Sequence, residues 1–411
     1  MGGACDYACN AGFGDCDGDV ANGCETDLRT SATHCGRCGN ACSAGMTCSA
    51  SVCGAVLIPE VAAGSEFTCA RRSSGAVLCW GVNTYGQLGN GSVTDARTPV
   101  AVASLSDAVE LSAGWRHACA RRSSGAIVCW GDNMNGGLGD GSRTRALTPV
   151  SVLAISDATQ IVTGSGYSCA RRSSGGVSCW GYNARGELGD RTMTDSASPV
   201  AVFGLTDAIE LSGGNYHACV RRPGGSVLCW GQNFYGEVGS GVMNMDYNAP
   251  VAVVGLTDAL EISASYRHSC ARRVGGAVVC WGYNTNGELG NGTTVDSLSP
   301  TAVVGLTDAV EISTGENYSC ARRAGGTVVC WGDNYYGALG NGAPTGPMTG
   351  STTPVTVTGL TDAVGISAGN YHACARRASG AVVCWGINDN GELGDGTTRS
   401  SNVPVTVVGL P

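Results

Sequence analysis

From about residue 56 onward, apolar positions fall into short alternating runs broken by Gly, Asn and Pro, and the same order of runs returns seven times. The marker is Cys-Trp-Gly, with tryptophan at 80, 130, 180, 230, 281, 331 and 385, at spacings of 50, 50, 50, 51, 50 and 54. In the second copy, Leu105–Leu111 runs into an alternating segment and Ala113-Gly114 turns. His117–Arg122 reads as a strand, Ser123-Ser124-Gly125 as a tight turn and Ala126–Trp130 as a strand. A Gly/Asn loop over Gly131–Gly141 and a last strand at Thr148–Val152 complete the unit. Four short β segments with no helical period between them predict a small antiparallel sheet. One such sheet cannot bury both faces, but seven around an axis can, because each packs on its neighbours. The expectation is an all-β, seven-bladed β-propeller over residues 55–411, with a small Cys-rich disulfide module over 1–54. A β-solenoid is the rival, although it would use shorter rungs and add caps. Pro404-Val405-Thr406-Val407 has no counterpart ahead of the first copy, so this last strand is expected to complete the first blade.

Each repeat holds two cysteines ten apart: Cys69 and Cys79, Cys119 and Cys129, Cys169 and Cys179, Cys219 and Cys229, Cys270 and Cys280, Cys320 and Cys330, and Cys374 and Cys384. A three-residue turn such as Ser73-Ser74-Gly75 sets Cys69 opposite Cys79 on one face of a hairpin. Disulfides are expected, with free or zinc-bound thiols as the alternative; zinc wants four N/S ligands together. Twenty-three cysteines argue for an oxidising location, extracellular or at the cell surface. Met1-Gly2-Gly3 leads directly into Cys5, so that expectation rests on cysteine chemistry alone. No apolar run reaches membrane-spanning length, and a net charge of −9 lacks the basic footprint of a nucleic-acid binder.

The N-terminal module carries nine cysteines, which cannot all pair internally. Its run Asp15-Cys-Asp17-Gly-Asp19 offers spaced oxygens suited to calcium or simply an acidic hairpin; Gly18 is misplaced for an EF-hand loop. Cys35-Gly-Arg-Cys38 suits a disulfide better than zinc in this context. No other cofactor is indicated.

The string Gly369-Asn370-Tyr371-His372-Ala373-Cys374, followed by Val383-Cys384-Trp385-Gly386 and Gly391-Glu392-Leu393-Gly394-Asp395-Gly396, resembles the repeat of the regulator of chromosome condensation family, in a secreted bacterial form with paired cysteines. The resemblance covers roughly residues 56–411 and implies a seven-bladed propeller. For activity it implies either nucleotide exchange on a small GTPase, the founder's role, or plain protein binding, the role of secreted members. The paired cysteines and acidic charge depart from the founder.

Comparing the seven copies separates a constant frame from two variable windows. The first precedes the His/Tyr position and includes Trp115-Arg116, Asn215-Tyr216, Tyr266-Arg267, Glu316-Asn317 and Asn370-Tyr371. The second follows Trp-Gly and includes Thr84-Tyr85, Phe234-Tyr235 and Tyr335-Tyr336, with Tyr182 and Tyr283 alongside. Strand alternation puts both windows at one end of the propeller, and with Tyr167 and Tyr318 they hold eleven of the thirteen tyrosines. Aromatic residues and arginine are the usual anchors of a binding surface. The expectation is a partner-binding face made of Trp115, Arg116, Tyr182, Tyr216, Phe234, Tyr235, Tyr266, Arg267, Tyr283, Tyr335, Tyr336 and Tyr371, for an unknown protein or glycan. The plain alternative is that these rings cap blade ends.

At the other end, Arg-Arg pairs such as Arg121 and Arg122 meet the linker acids such as Asp107 and Glu110, which predicts a structural ring of ion pairs. His117, His217, His268 and His372 interchange with Phe67, Tyr167 and Tyr318, which argues for packing or a hydrogen bond rather than catalysis. No catalytic set breaks the repeat; its largest breaks are the loops Val242–Asn248 and Ala343–Thr353. The leading expectation is a non-enzymatic extracellular binding scaffold. A self-associating structural surface protein and an exchange factor are the alternatives.

Overall fold

The computed structural model describes residues 9–17, 24–29, 31, 33–41, 46–49, 52–55 and 57–410. The chain separates into two compact units, Met1–Leu57 with Leu410–Pro411, and Ile58–Gly409.

The larger unit is seven four-stranded antiparallel sheets, each built from strands in chain order. The first blade comprises Glu60–Ala63, Phe67–Arg71, Val77–Gly81 and Ala96–Ala101. The second comprises Ala108–Ala113, His117–Arg122, Ile127–Gly131 and Ala146–Ser151, and the seventh Ala363–Ala368, His372–Arg377, Val382–Gly386 and Ser401–Thr406. No helix occurs among the described residues.

The last strand does not complete the first blade. It pairs within its own sheet, Val383 opposite Thr406 and Cys384 opposite Val405. Residues Glu60–Ala63 supply the first blade's inner strand, and Ala96–Ala101 its outer one. An antiparallel partner one loop away is reached at low closure entropy, so pairing stays local in every blade. The ring is closed by contacts between sheets instead.

Those contacts explain the frame residues. The core lies between blades: Phe67, Cys69, Val77, Cys79 and Leu88 pack with Leu111, Ala118, Ala120, Val128 and Trp130 of the next sheet. Each frame tryptophan is fully buried and its indole N–H donates to a loop carbonyl of the preceding blade, as Trp130 does to Gln87 O at 2.9 Å. The glycine of Leu-Gly lies against that ring: Gly89 has φ +64°, and a Cβ there would come within 2.7 Å of Trp130. The glycine of Trp-Gly, Gly81, has φ +104° and leaves no room for a Cβ beside Glu66 O.

The seven cysteine pairs are disulfides, which excludes the free-thiol and zinc alternatives for them. Cys69 is bonded to Cys79, Cys119 to Cys129, Cys169 to Cys179, and Cys219 to Cys229. Cys270 is bonded to Cys280, Cys320 to Cys330, and Cys374 to Cys384. Their Cα atoms stand 4.0–4.1 Å apart, directly cross-strand. That is closer than the general cross-strand spacing anticipates, because each pair takes the closely approaching, non-hydrogen-bonded site of an antiparallel ladder. None of the bonds lies on the surface. Cys79, Cys129, Cys179, Cys229, Cys280, Cys330 and Cys384, on the third strand of each blade, are completely buried, so these residues serve the core between blades and offer nothing to a partner. Proline stands in all seven outer strands, at 99, 149, 199, 250, 300, 354 and 404, where its missing N–H blunts an open sheet edge.

The four histidines are buried between blades. Each Nε2 faces a hydroxyl of the next blade: His117 with Ser168, His217 with Ser269, and His268 with Ser319 at 2.8 Å, and His372 with Thr68 at 2.7 Å. Each of these hydroxyls donates to a loop carbonyl, so it accepts from Nε2–H and the imidazole is neutral. Where the next blade offers alanine, the position is Phe67, Tyr167 or Tyr318. Burial pushes the histidines down, to about 3 for His268 and about 4 for the others.

In the N-terminal unit, Phe13–Gly14 pairs with Thr26–Asp27, and Met46–Ser49 with Val52–Ala55. Disulfides join Cys9 to Cys24 and Cys16 to Cys38, and Cys35 is also disulfide-bonded, so Cys35 and Cys38 are both committed to sulfur bonding. Carboxylate oxygens of Asp15, Asp17 and Glu25 lie within 4.8 Å of one another, while Asp19 falls outside the described residues.

Candidate partner-binding face

The second variable window sits on a loop with a fixed internal scaffold. Asn83 accepts from Leu88 N and donates to Thr94 O, each at 3.0 Å, and Asn133, Asn183, Asn284 and Asn388 repeat both bonds. A buried acid or amide braces the same loop from below: Glu187 accepts from Arg185 N, Glu237 from Tyr235 N, and Gln87 from Tyr85 N. The loop is therefore rigid where it presents its aromatic and arginine side chains, which lowers the entropy cost of using them in contact.

Burial raises Glu187 to about 8, and Glu288, which accepts from Asn286 N in the same way, to about 7. The unfolded Glu187 carboxyl ionises near 4.5, so between that pH and about 8 the unfolded chain holds fewer protons and stability falls as pH rises. The buried histidines act at the acid side: below about 6.5 the unfolded chain takes up protons that the folded one refuses until pH about 4. Glu187→Gln, the residue type already present at Gln87, should leave stability unchanged at pH 4.5. By pH 8 it should raise it by on the order of 3 kcal/mol. Thermal melts of both proteins across that range check this; parallel pH profiles would contradict it.

The predicted face residues do come together at one end. Tyr182, Tyr216 and Tyr266 follow one another with ring centroids 6.3 and 5.9 Å apart. Arg267 continues the row, stacked on Tyr266, Tyr235 and Tyr283, with Tyr235 and Tyr283 4.9 Å apart. Tyr335, Tyr336 and Tyr371 form a second group, Arg116 lies over Trp115 and Tyr85, and Arg185 lies over Phe234. Most of these rings are half-buried against each other; Trp115 and Tyr335 are the exposed ones, at 38% and 46%. Tyr167 and Tyr318 leave the face altogether: both are buried, and their hydroxyls donate to His217 O and His372 O of the next blade.

Two cavities open here. One, of about 250 Å³, is lined by a residue from every blade, among them Ser65, Glu66, Trp115, Ser165, Asn215 and Tyr266, and so marks the axial mouth. The other, of about 220 Å³, is a cleft walled by Trp115, Arg116, Tyr182 and Tyr216, left open because Ser165-Gly166 replaces the bulky residues of other blades. Glu66 belongs to the face although the variable windows did not single it out: Ser65-Glu66 precedes Phe67 just as Trp115-Arg116 precedes His117. An exposed methionine rim lies on the same loops: Met134 in a variable window, Met193, and Met243, Met245 and Met348 in the two loops that break the repeat.

The opposite end is a ring of ion pairs, as the Arg-Arg spacing predicted, but each pair closes within one blade. Arg121 meets Glu110 at 2.7 Å and Arg122 meets Asp107 at 2.9 Å, and equivalents recur around the ring. The glutamate reaches onward to the next blade's inner strand, where Glu60 accepts from Leu111 N and Glu210 from Ile262 N. Three repeats break the pattern: Gln160 stands opposite Arg171, Gly365 opposite Arg376, and Leu57 occupies the aspartate position for Arg72.

A profile of the RCC1-like domain matches residues 34–310, and profiles of the regulator of chromosome condensation repeat match 309–338, 363–392 and 325–376. The chain belongs to the RCC1-like domain family. No curated protein matches it. Among solved structures, this RCC1-like propeller is similar to human WBSCR16, at 21% identity over 77% of this chain and 86% of that one, with a TM-score of 0.70. It is similar also to yeast RCC1 (Prp20) bound to Kap60, at 19% identity over 86% and 85%, with a TM-score of 0.72. Prp20p from Saccharomyces cerevisiae, described with its binding to Gsp1p and histones, matches at 20% identity over 86% and 87%, TM-score 0.71. At these identities the likeness is one of fold.

Proposed function

We propose that this RCC1-like chain is an extracellular, non-enzymatic propeller that binds a protein partner through its aromatic end. The observation that carries the reading is the row running from Tyr182 through Tyr216, Tyr266 and Arg267 to Tyr235 and Tyr283, which crosses three successive blades and includes Tyr235 on a braced loop. Rigid aromatic anchors give contact area at little entropy cost, and the methionine rim adds apolar contacts that adapt in shape. The yeast propellers of like fold are in keeping with this, one bound to Kap60 and one described with its binding to Gsp1p and histones. Fourteen buried cysteines in seven bonds support an oxidising location. The alternative is a self-associating structural protein whose propellers pack on each other; its edge-to-edge form is opposed by the proline in every outer strand.

The test is affinity capture with the intact immobilised protein against a variant carrying Trp115→Ala, Tyr266→Ala and Tyr335→Ala, with bound proteins identified by mass spectrometry. A specific protein held by the native chain and lost by the variant is the expected result. A control altered at the other end, Val274→Ser, should retain it. Capture indifferent to the three aromatic substitutions would remove this face from the account.

A further inference from the structure

The two ends treat their carboxylates differently. At the ion-paired end, five of the glutamates and six of the aspartates in the ring meet an arginine at 2.6–2.9 Å. At the axial mouth of the aromatic end, Glu66 and Glu316 line the cavity, and neither forms an ion pair among the described residues. These two are the only charged residues among the walls; Arg116 and Arg267 stack on neighbouring rings and do not line it. Glu316 accepts from Tyr371 OH at 2.8 Å; burial pushes its carboxyl above its ordinary range, opposed by that hydrogen bond and by the charge of Arg267, with Glu66 adding a smaller push upward. The remaining large walls are the rings of Trp115, Tyr216, Tyr266 and Tyr371.

Glu66 is exposed and Glu316 half-buried; a half-buried carboxylate that no arginine reaches as an ion pair is costly, and ring faces attract positive charge. We propose that the axial mouth is a socket for a cation: the guanidinium or ammonium group of a basic side chain that the protein partner inserts along the propeller axis between Glu66, Glu316 and the four surrounding rings. The cavity, about 250 Å³, accommodates one long side chain end-on. This deepens the reading of the aromatic end as a protein-binding face and rests on it. It adds that recognition at the centre is electrostatic, with the aromatic row and methionine rim supplying surrounding contact.

The probe is a hexa-arginine peptide, titrated calorimetrically into the intact protein with tryptophan emission followed in parallel. Seven of the eight tryptophans are fully buried, so Trp115 is the accessible reporter. Saturable binding with a change in emission is expected. The double variant Glu66→Gln with Glu316→Gln should weaken it by at least about tenfold. The double variant Asp107→Asn with Asp258→Asn, which changes net charge equally at the other end, should leave it within about twofold. Equal weakening by the two double variants would show attraction to an acidic protein at large and overturn the socket. So would absence of binding, or preferred binding of hexa-glutamate or a neutral chito-oligosaccharide. In the capture assay, a partner lost with the aromatic variant yet kept by the Glu66 and Glu316 double variant overturns the socket and leaves the face standing. A partner indifferent to the aromatic substitutions takes both down.

Discussion

Under strong reductant the folded protein should keep its seven propeller disulfides, and once unfolded and reduced it should fail to refold. The sulfurs are sealed between blades, with all fourteen cysteines at 0–2% exposure, so a thiolate cannot reach them without opening the sheet stack. Thiol release should therefore track unfolding, as counted by a thiol reagent alongside far-ultraviolet circular dichroism during a denaturant series. Each bond closes a loop of sequence separation 10 and stabilises by about 2–3 kcal/mol through the unfolded chain. Seven together reach on the order of 15–20 kcal/mol on that argument, above the roughly 5–15 kcal/mol net stability of a typical domain. The reduced chain is thus expected to stay unfolded after denaturant is removed, and oxidised chain to return. Free thiols appearing with the native spectrum intact, or a reduced chain that refolds, would contradict the assignment of the bonds as the main staples.

This outcome is legible in the sequence because the cysteine pairs are local. A turn centred on Ser74 fixes the register of Cys69 and Cys79 from sequence alone, and the structure pairs them so. The burial of the bonds is less legible, since a hairpin viewed alone does not say which of its faces the next blade will cover. The same locality makes the ring of Arg121 and Asp107 type readable. What the residues do not disclose lies between blades, where partners are about fifty positions apart and no short-range period reports them. The last strand is one case: Pro404–Val407 looks surplus only because the first blade's inner strand, Glu60–Ala63, lacks a strong alternating pattern. The histidines are another. Their exchange with Phe67 and Tyr167 suggests packing, yet the rule that His at one repeat requires Ser or Thr in the next is present in the sequence throughout. His372 with Thr68 obeys it only if the seventh repeat neighbours the first, so that pair already encodes closure of the ring. On the candidate face, the aromatic positions are readable from their variability, but their mutual stacking is not, because it depends on blade-to-blade distance. Met134 lies in a variable window and Met243 in a loop that breaks the repeat, but nothing in a loop's pattern says that such side chains stand exposed.

The junction of the seventh and first blades is the one joint with no chain running through it, and Trp80→Ala is expected to open it. Trp80 donates its indole N–H to Glu392 O at 2.8 Å, beside the Thr68 hydroxyl that binds the same carbonyl and His372. Removing a fully buried tryptophan costs about 3–5 kcal/mol wherever it sits, so Trp180→Ala, at an internal joint, should cost about the same in equilibrium stability. The two should differ in where the molecule opens. At an internal joint the linker holds neighbouring blades together after packing is lost; at the seam only side chains and short backbone contacts such as Asn370 N to Gly64 O remain. The seam is already the weaker joint: five blades have a glutamate that clips Arg to the next inner strand and Gln160 still accepts from Leu211 N, but Gly365 has no side chain to do either, and Arg376 reaches Ile58 O and Val364 O at 3.4–3.5 Å. Amide hydrogen exchange in Trp80→Ala should therefore accelerate selectively in Glu60–Ala63 and Ala363–Ala368, while Trp180→Ala spreads its effect around the ring. Gly365→Glu supplies the opposite test. Its Cβ would meet only the guanidinium end of Arg376, a mobile group that can swing to pair with the new carboxylate while Val61 N takes the other oxygen, as Leu111 N does with Glu60. A gain of about 1–2 kcal/mol, with slower exchange confined to the same two strands, is expected. If Trp80→Ala and Trp180→Ala gave indistinguishable exchange maps, the ring would be yielding as a whole rather than at its seam.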